Sequence, residues 1–143
     1  MLKRIPPLLN GDLLKILRDM GHGDELTISD ANYPSASTSK RLVRLDGVSG
    51  TDALAAILTI FPLDEFVDSP AFLMSPGAGE APPALAAFQT VLDAGNDKPV
   101  KVTAVPRFDF YDRAKLSYAC VATAERRLYA DIIIKKGILR PGE

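Results

Sequence analysis

The stretch Asn10-Gly11-Asp12-Leu13-Leu14-Lys15-Ile16-Leu17-Arg18-Asp19-Met20-Gly21-His22-Gly23-Asp24-Glu25-Leu26-Thr27-Ile28-Ser29-Asp30 decides the fold. Its apolar residues Leu13, Ile16, Leu17 and Met20 recur at helical spacing, and Asn10 supplies a side-chain acceptor for the helix start. Gly21 suits the left-handed position that ends a helix. Leu26 to Ser29 then reads as a short strand, with Asp30 just past its carboxyl end. A helix that hands over directly to a strand points to an α/β architecture.

The rest of the chain repeats the alternation. Asn32 to Ser39 is a polar loop rich in hydroxyls, and Arg41 to Leu45 is a strand closed by the turn pair Asp46-Gly47. Ser49 or Thr51 caps a second helix running to about Phe61, with Leu54, Ile57, Leu58 and Phe61 on one face. An acidic connection, Asp64 to Asp68, leads to a strand over Ala71 to Met74. Pro82 and Pro83 suit the first turn of a third helix ending at Gly95. Val100 to Val105 alternates as a strand. Arg107 to Lys115 reads as a helix with Phe108, Tyr111 and Ala114 or Leu116 towards the core. Tyr118 to Thr123 and Ile132 to Lys135 are two further strands, the latter with the continuous apolar run of a strand buried on both sides. The pattern predicts one domain spanning residues 1–143, an α/β sandwich whose central mixed sheet is covered by helices on both faces.

Composition narrows the functional classes. At 143 residues, with 47% hydrophobic and 24% charged residues, the chain is long enough to bury a core and unlike a disordered segment. The formal net charge is −1 and no stretch concentrates Lys or Arg, which argues against nucleic acid as a partner. The longest apolar run, Ala53 to Phe61, is too short to cross a bilayer, and Pro6, Pro7 and Asn10 interrupt any signal-like apolar core near the start. Cys120 is the only cysteine, so no internal disulfide forms and a reducing, cytoplasmic setting is expected.

Chemistry has few candidates. His22 is the only histidine, and an imidazole exchanges protons near neutral pH. Its duller role is to cap the preceding helix and complement the helix dipole. No phosphate-binding glycine loop, zinc ligand set or nucleophile elbow is present, so no metal site is expected. Asp30, Arg107, Tyr129 and Asp131 lie beside the ends of predicted elements, and Asp30 and Arg107 follow strands, where α/β sheets bind ligands. A carboxylate that accepts from hydroxyls, beside donors such as arginine and tyrosine, suits a neutral, hydroxyl-rich ligand. Each also has a local role available. Asp30 caps the next turn, Arg107 pairs with Asp109 or Asp112, and Tyr129 and Asp131 shape the turn before the last strand.

Four strings in order carry a resemblance: Gly21-His22-Gly23-Asp24-Glu25, Ser29-Asp30-Ala31, Arg107-Phe108-Asp109-Phe110-Tyr111-Asp112-Arg113-Ala114 and Glu125-Arg126-Arg127-Leu128-Tyr129. With Met1-Leu2-Lys3, Arg44-Leu45-Asp46-Gly47 and Lys135-Lys136-Gly137, the chain resembles the L-fucose mutarotase and D-ribose pyranase family, from its first residue to about Ile138. Gly23 after the histidine and Phe110-Tyr111-Asp112-Arg113 favour the fucose branch. The resemblance implies an enzyme without metal or cofactor that interconverts the cyclic forms of a free monosaccharide, most simply the anomers of L-fucose or a related aldose. It further implies a ring-shaped homo-oligomer, commonly decameric, with sites near subunit contacts. It gives His22 the proton transfer, and assigns sugar binding to Asp30, Arg107 and the Tyr129-Ala130-Asp131 segment. Asn32, Ala124 and Asp131 depart from the branch, which usually carries histidine, glycine and asparagine there. Exchange between pyranose and furanose forms of D-ribose, or sugar binding without catalysis in an uptake pathway, are the alternative functions.

Overall fold

The computed structural model describes residues 1–143. Asn10 starts α1 (Gly11–Asp19) by accepting from the Leu13 N–H at 2.9 Å, and Leu13 and Leu17 turn its apolar stripe inward. The chain then forms β1 (Glu25–Ser29), a single helical turn α2 (Ser35–Thr38), β2 (Leu42–Leu45) and α3 (Gly50–Leu58). Ser49 is the cap of α3; its hydroxyl accepts from the Asp52 N–H at 3.1 Å. β3 (Ala71–Ser75), α4 (Leu85–Ala94), β4 (Val102–Pro106), α5 (Arg107–Leu116), β5 (Ala119–Thr123) and β6 (Ile132–Lys135) complete it.

The strands make one six-stranded sheet in the order β2-β5-β1-β6-β3-β4. Every neighbouring pair is parallel except those of β6, which runs antiparallel to β1 and to β3. Alternation along the strands sends residues to two different faces. Leu26 and Ile28, Val43 and Leu45, Ala71 and Leu73, and Ile132 and Ile134 meet α1, α3 and α4 in the main core, where Phe88 and Ile57 are fully buried. The opposite faces of β3 and β6 place Met74 and Ile133 against Phe110 and Ala114 of α5. Along β1 this second face is polar: Ser29 bonds to Ser35 of α2 at 2.9 Å, and Thr27 to Ser117, just after α5, at 2.8 Å. The mixed, helix-covered sandwich read from the sequence is the fold. No helix is long and apolar enough to cross a membrane.

Three local expectations are corrected. Asn32 to Ser39 is not wholly loop, because Ser35–Thr38 winds one turn whose Ser37 and Thr38 hydroxyls both return to the Pro34 carbonyl. Gly21 is not the left-handed residue after α1; Gly23 is, at φ +87°, while α1 ends at Met20 with φ −61°. On α5, Phe108 and Leu116 are 72% and 75% exposed rather than buried. Phe110 and Ala114, four residues apart, form the face that meets the sheet, and that register points Phe108 and Leu116 away.

Candidate active site

The reversal of β6 positions the site. The segment entering an antiparallel strand arrives at the same rim as the carboxyl ends of its parallel neighbours. Asp30, which follows β1, Arg107, which opens α5 straight after β4, and Tyr129 and Asp131, which lead into β6, therefore converge. These four line one pocket of about 190 Å³, with Tyr33 and Tyr111 among its walls. Ala130, between Tyr129 and Asp131, is fully buried in the main core and is not among the residues that line the pocket.

The pocket holds two carboxylates with no ion pair to either. Asp131 is 2% exposed and Asp30 7%. The Asp30 N–H donates to Asp131 Oδ1 at 2.8 Å, while Asp30 Oδ1 accepts from the Asn32 N–H at 2.8 Å. Burial, and then the adjacent Asp30 charge, hold the Asp131 carboxyl well above the usual carboxylate range. Asp30 thus caps its turn and also faces the pocket. Arg107 pairs with neither Asp109 nor Asp112: its Nε donates to the Tyr111 hydroxyl at 3.0 Å, and Asp112 faces Lys115 instead. Buried Tyr33 has a hydroxyl without a protein partner, and burial pushes its pKa up to about 12. Tyr129 sits in the left-handed region at φ +58°, a conformation that costs a non-glycine residue energy and that recurs in functional loops.

Glu125 holds that loop in shape. Its carboxylate accepts from the N–H groups of Gly50, Arg126 and Arg127 at 2.9–3.0 Å and from the Arg127 guanidinium at 2.7 and 2.9 Å. The Arg127 hydrogen bonds, with the backbone donors, outweigh burial and bring its pKa down to about 2. Its carbonyl accepts from the Ala31 N–H at 2.9 Å, which ties the loop to the residue after Asp30.

His22 lies elsewhere. It precedes β1, whereas Asp30 follows it, and the strand Glu25–Ser29 alone spans about 13 Å at ~3.3 Å per residue. A single chain therefore does not bring His22 to the pocket. The helix-capping role falls to Lys136, whose ammonium donates to the Leu17 and Met20 carbonyls at 2.6 Å each. The half-exposed His22 ring instead packs against Phe66, centroids 5.7 Å apart, and its Nε2 bonds to Asp64 Oδ1 at 3.2 Å. Burial alone would raise the Asp64 carboxyl, but the Phe66 N–H and the His22 ring overcome it and keep it ionised, below its usual range. An ionised carboxylate only accepts, so Nε2 carries the hydrogen, which leaves Nδ1 as the basic nitrogen of the neutral ring. Residues 135–137 brace this arrangement: Lys136 pairs with Leu63, and the Gly137 N–H donates to the Pro62 carbonyl at 2.8 Å.

Asp64 and Phe66 also belong to the wall of a larger hollow of about 540 Å³, whose lining mixes both signs of charge. No three His, Cys, Asp or Glu side chains converge to ligate a metal ion. Sequence reasoning missed Asp64, taken only as part of an acidic connection, and Glu125, whose partner Gly50 is 75 residues away. A buried carboxylate beside the sole histidine is a signal that only the folded chain supplies.

A model of the RbsD / FucU transport protein family matches residues 3–139. An L-fucose mutarotase of Actinobacillus pleuropneumoniae serotype 5b (strain L20) is 41% identical over 140 residues, covering 96% of this chain and 97% of that protein. The crystal structure of the fucose mutarotase from Streptococcus pneumoniae in complex with L-fucose matches with a TM-score of 0.89 at 44% identity, over 97% of this chain and 100% of that one. Bacillus subtilis RbsD complexed with D-ribose matches over 98% of this chain and 100% of its own, with a TM-score of 0.76 and 21% identity, a likeness of fold alone.

Proposed function

The chain belongs to the RbsD/FucU family, and from that premise we propose that it is an isomerase that interconverts the anomers of a free aldose, with L-fucose the first candidate. The observation that carries the reading is the convergence of Asp30, Arg107, Tyr129 and Asp131 in one small pocket at the carboxyl rim of the sheet. A carboxylate accepts from sugar hydroxyls, and the guanidinium and phenol donate to their oxygens. The fucose-named relatives, at 41% and 44% identity, favour an anomer exchange over the ribose-type reaction.

The reaction needs a proton taken from the anomeric hydroxyl while the bond from C1 to the ring oxygen breaks and that oxygen gains a proton. The open aldehyde turns its carbonyl face, and the reverse steps close the other anomer. We assign the proton transfer to His22 through Nδ1, with Asp64 fixing the ring and its tautomer. A positioned acid–base group contributes roughly 10²–10⁴-fold, a scale suited to a reaction that already runs unaided. Since one chain holds the imidazole and the pocket at opposite rims, the reading requires His22 of one subunit to serve the pocket of another. The ring-shaped homo-oligomer expected from the sequence would supply that arrangement.

Exchange between L-fucose anomers, followed by NMR saturation transfer, tests both points. The His22→Gln and Arg107→Ala variants should each lose acceleration while remaining folded. Unfolding and refolding the two together should restore part of it, because mixed assemblies contain pockets in which both groups are intact. A folded His22→Gln variant with undiminished exchange would remove the imidazole from the mechanism. Inactive mixed assemblies would confine the site to one chain. Binding of L-fucose without faster exchange would make the protein a carrier instead.

A further inference from the structure

Asp30 and Asp131 form a pair whose chemistry sugar binding alone does not exhaust. Their carboxyl groups share one pocket, and each is more than nine-tenths buried. No Lys, Arg or His nitrogen forms an ion pair with either; Arg107 lines the same pocket but is engaged by Tyr111. Within one chain, the other titratable groups around Asp131 offer no positive charge. They are Tyr129 on its own segment, Tyr33 in the loop after β1, Tyr111 on α5, Cys120 on β5, and Glu125 after β5, which Arg127 already neutralises. The His22 that the proposed function brings here from a second subunit is one more titratable group, which a carbon-13 carboxyl label tells apart from the aspartates. Two full negative charges side by side in such surroundings repel strongly, so the pair keeps one proton.

Geometry says where the proton resides. Asp30 Oδ1 accepts from the Asn32 N–H at 2.8 Å, so each carboxyl has one backbone donor and burial decides between them. Asp131 is the more deeply buried member, and its Oδ1 is occupied by the Asp30 N–H at 2.8 Å. A proton on its other oxygen leaves a carboxylic acid with one accepting and one donating end, the hydrogen-bonding pattern of an amide. A buried acid kept neutral so that it donates is a known device for holding an oxygen-bearing ligand.

We infer that Asp131 is a neutral carboxylic acid at physiological pH and donates a hydrogen bond to an oxygen of the bound sugar, while Asp30 beside it accepts from a sugar hydroxyl. This inference rests on the sugar-binding reading of the pocket. It also gives a physical meaning to an aspartate where the sequence resemblance leads one to expect asparagine: the donor is retained but becomes switchable. Alkaline pH removes the donor and places a second negative charge against the ligand's lone pairs, so capture weakens as pH rises. An asparagine has no such switch.

The test uses the full-length protein with its aspartates labelled with carbon-13 at the side-chain carboxyl. One carboxyl should be protonated at pH 6.5 and titrate above it, and its signal should be missing from Asp131→Asn. Added L-fucose should move that titration to higher pH, because the ligand binds the protonated form better. Above the titration, the parent's Kd for L-fucose should rise by about tenfold per pH unit, the slope of a single lost proton, whereas Asp131→Asn should give a flat Kd over the same range. Aspartate carboxyls that are all ionised by pH 6 would overturn the inference, and so would a titration that ignores L-fucose. A titration that responds to L-fucose in a protein that does not speed anomer exchange would uphold the donor and refute the mutarotase reading.

Discussion

Replacing Glu125 by Gln keeps the shape of a side chain that is only 5% exposed and removes its charge. The carboxyl, ordinarily at 4.5, is held down to about 2, chiefly by the Arg127 guanidinium and three backbone N–H groups. A group whose pKa is depressed on folding adds stability that is complete above its unfolded value and disappears as pH falls through the folded one. At about 1.4 kcal/mol per pH unit, that descent corresponds to ~3 kcal/mol at pH 7. Solvent screening of the 43% exposed Arg127, and the acceptor that glutamine retains, reduce the expected loss to about 2 kcal/mol. For a chain of this size such a loss lowers the melting temperature by about 4–8 °C. Circular dichroism melts of parent and Glu125→Gln, at equal protein concentration, should show that gap at pH 7 and less than half of it at pH 3. Equal melting temperatures at pH 7, or a gap that does not shrink in acid, would refute the view that this charge anchors the loop.

Two further substitutions address the other rim. A methyl group added at Gly137 would lie 2.3 Å from the Leu63 carbonyl oxygen and 2.7 Å from its carbon, both backbone atoms. Gly137→Ala should therefore force residues 62–64 aside, cost about 2 kcal/mol in thermal unfolding, and shift the His22 ring resonances in NMR. Asp64→Asn replaces the acceptor that fixes the His22 tautomer with a neutral amide. It should lower kcat for anomer exchange about tenfold or more with KM little changed, and an unchanged kcat would make Asp64 a purely structural carboxylate.

The sequence was most legible where the information is local. Asn10, the spacing of Leu13, Ile16 and Leu17, and the Ile132–Ile134 run each announce an element through neighbouring residues, and each element lies where that pattern puts it. The alignment of Asp30, Arg107, Tyr129 and Asp131 was readable as well, because each follows or precedes a strand end and the sheet collects such ends at one rim. Features that depend on distant partners were not. The Asp64 contact to His22 spans 42 residues and Glu125 reaches Gly50 across 75, with no periodicity to signal either. Helix α5 misled for a different reason: its apolar residues Phe108, Phe110, Tyr111 and Leu116 fit more than one face, and only the docking of Phe110 on β3 and β6 selects the register. A lone histidine after a helix looks like its cap until Lys136, over a hundred residues later, occupies those carbonyls.

The backward course of Ile132–Lys135 also bears on how such a molecule can diversify. Its two flanking segments emerge at opposite edges of a stiff slab, one beside the pocket and the other beneath the imidazole, with three fully buried isoleucines between them. Substitutions among residues 128–131 can therefore retune what the small pocket prefers without loosening the cradle around His22. Descendants of one ancestor would then be free to exchange one ligand for another while inheriting the same buttressed histidine.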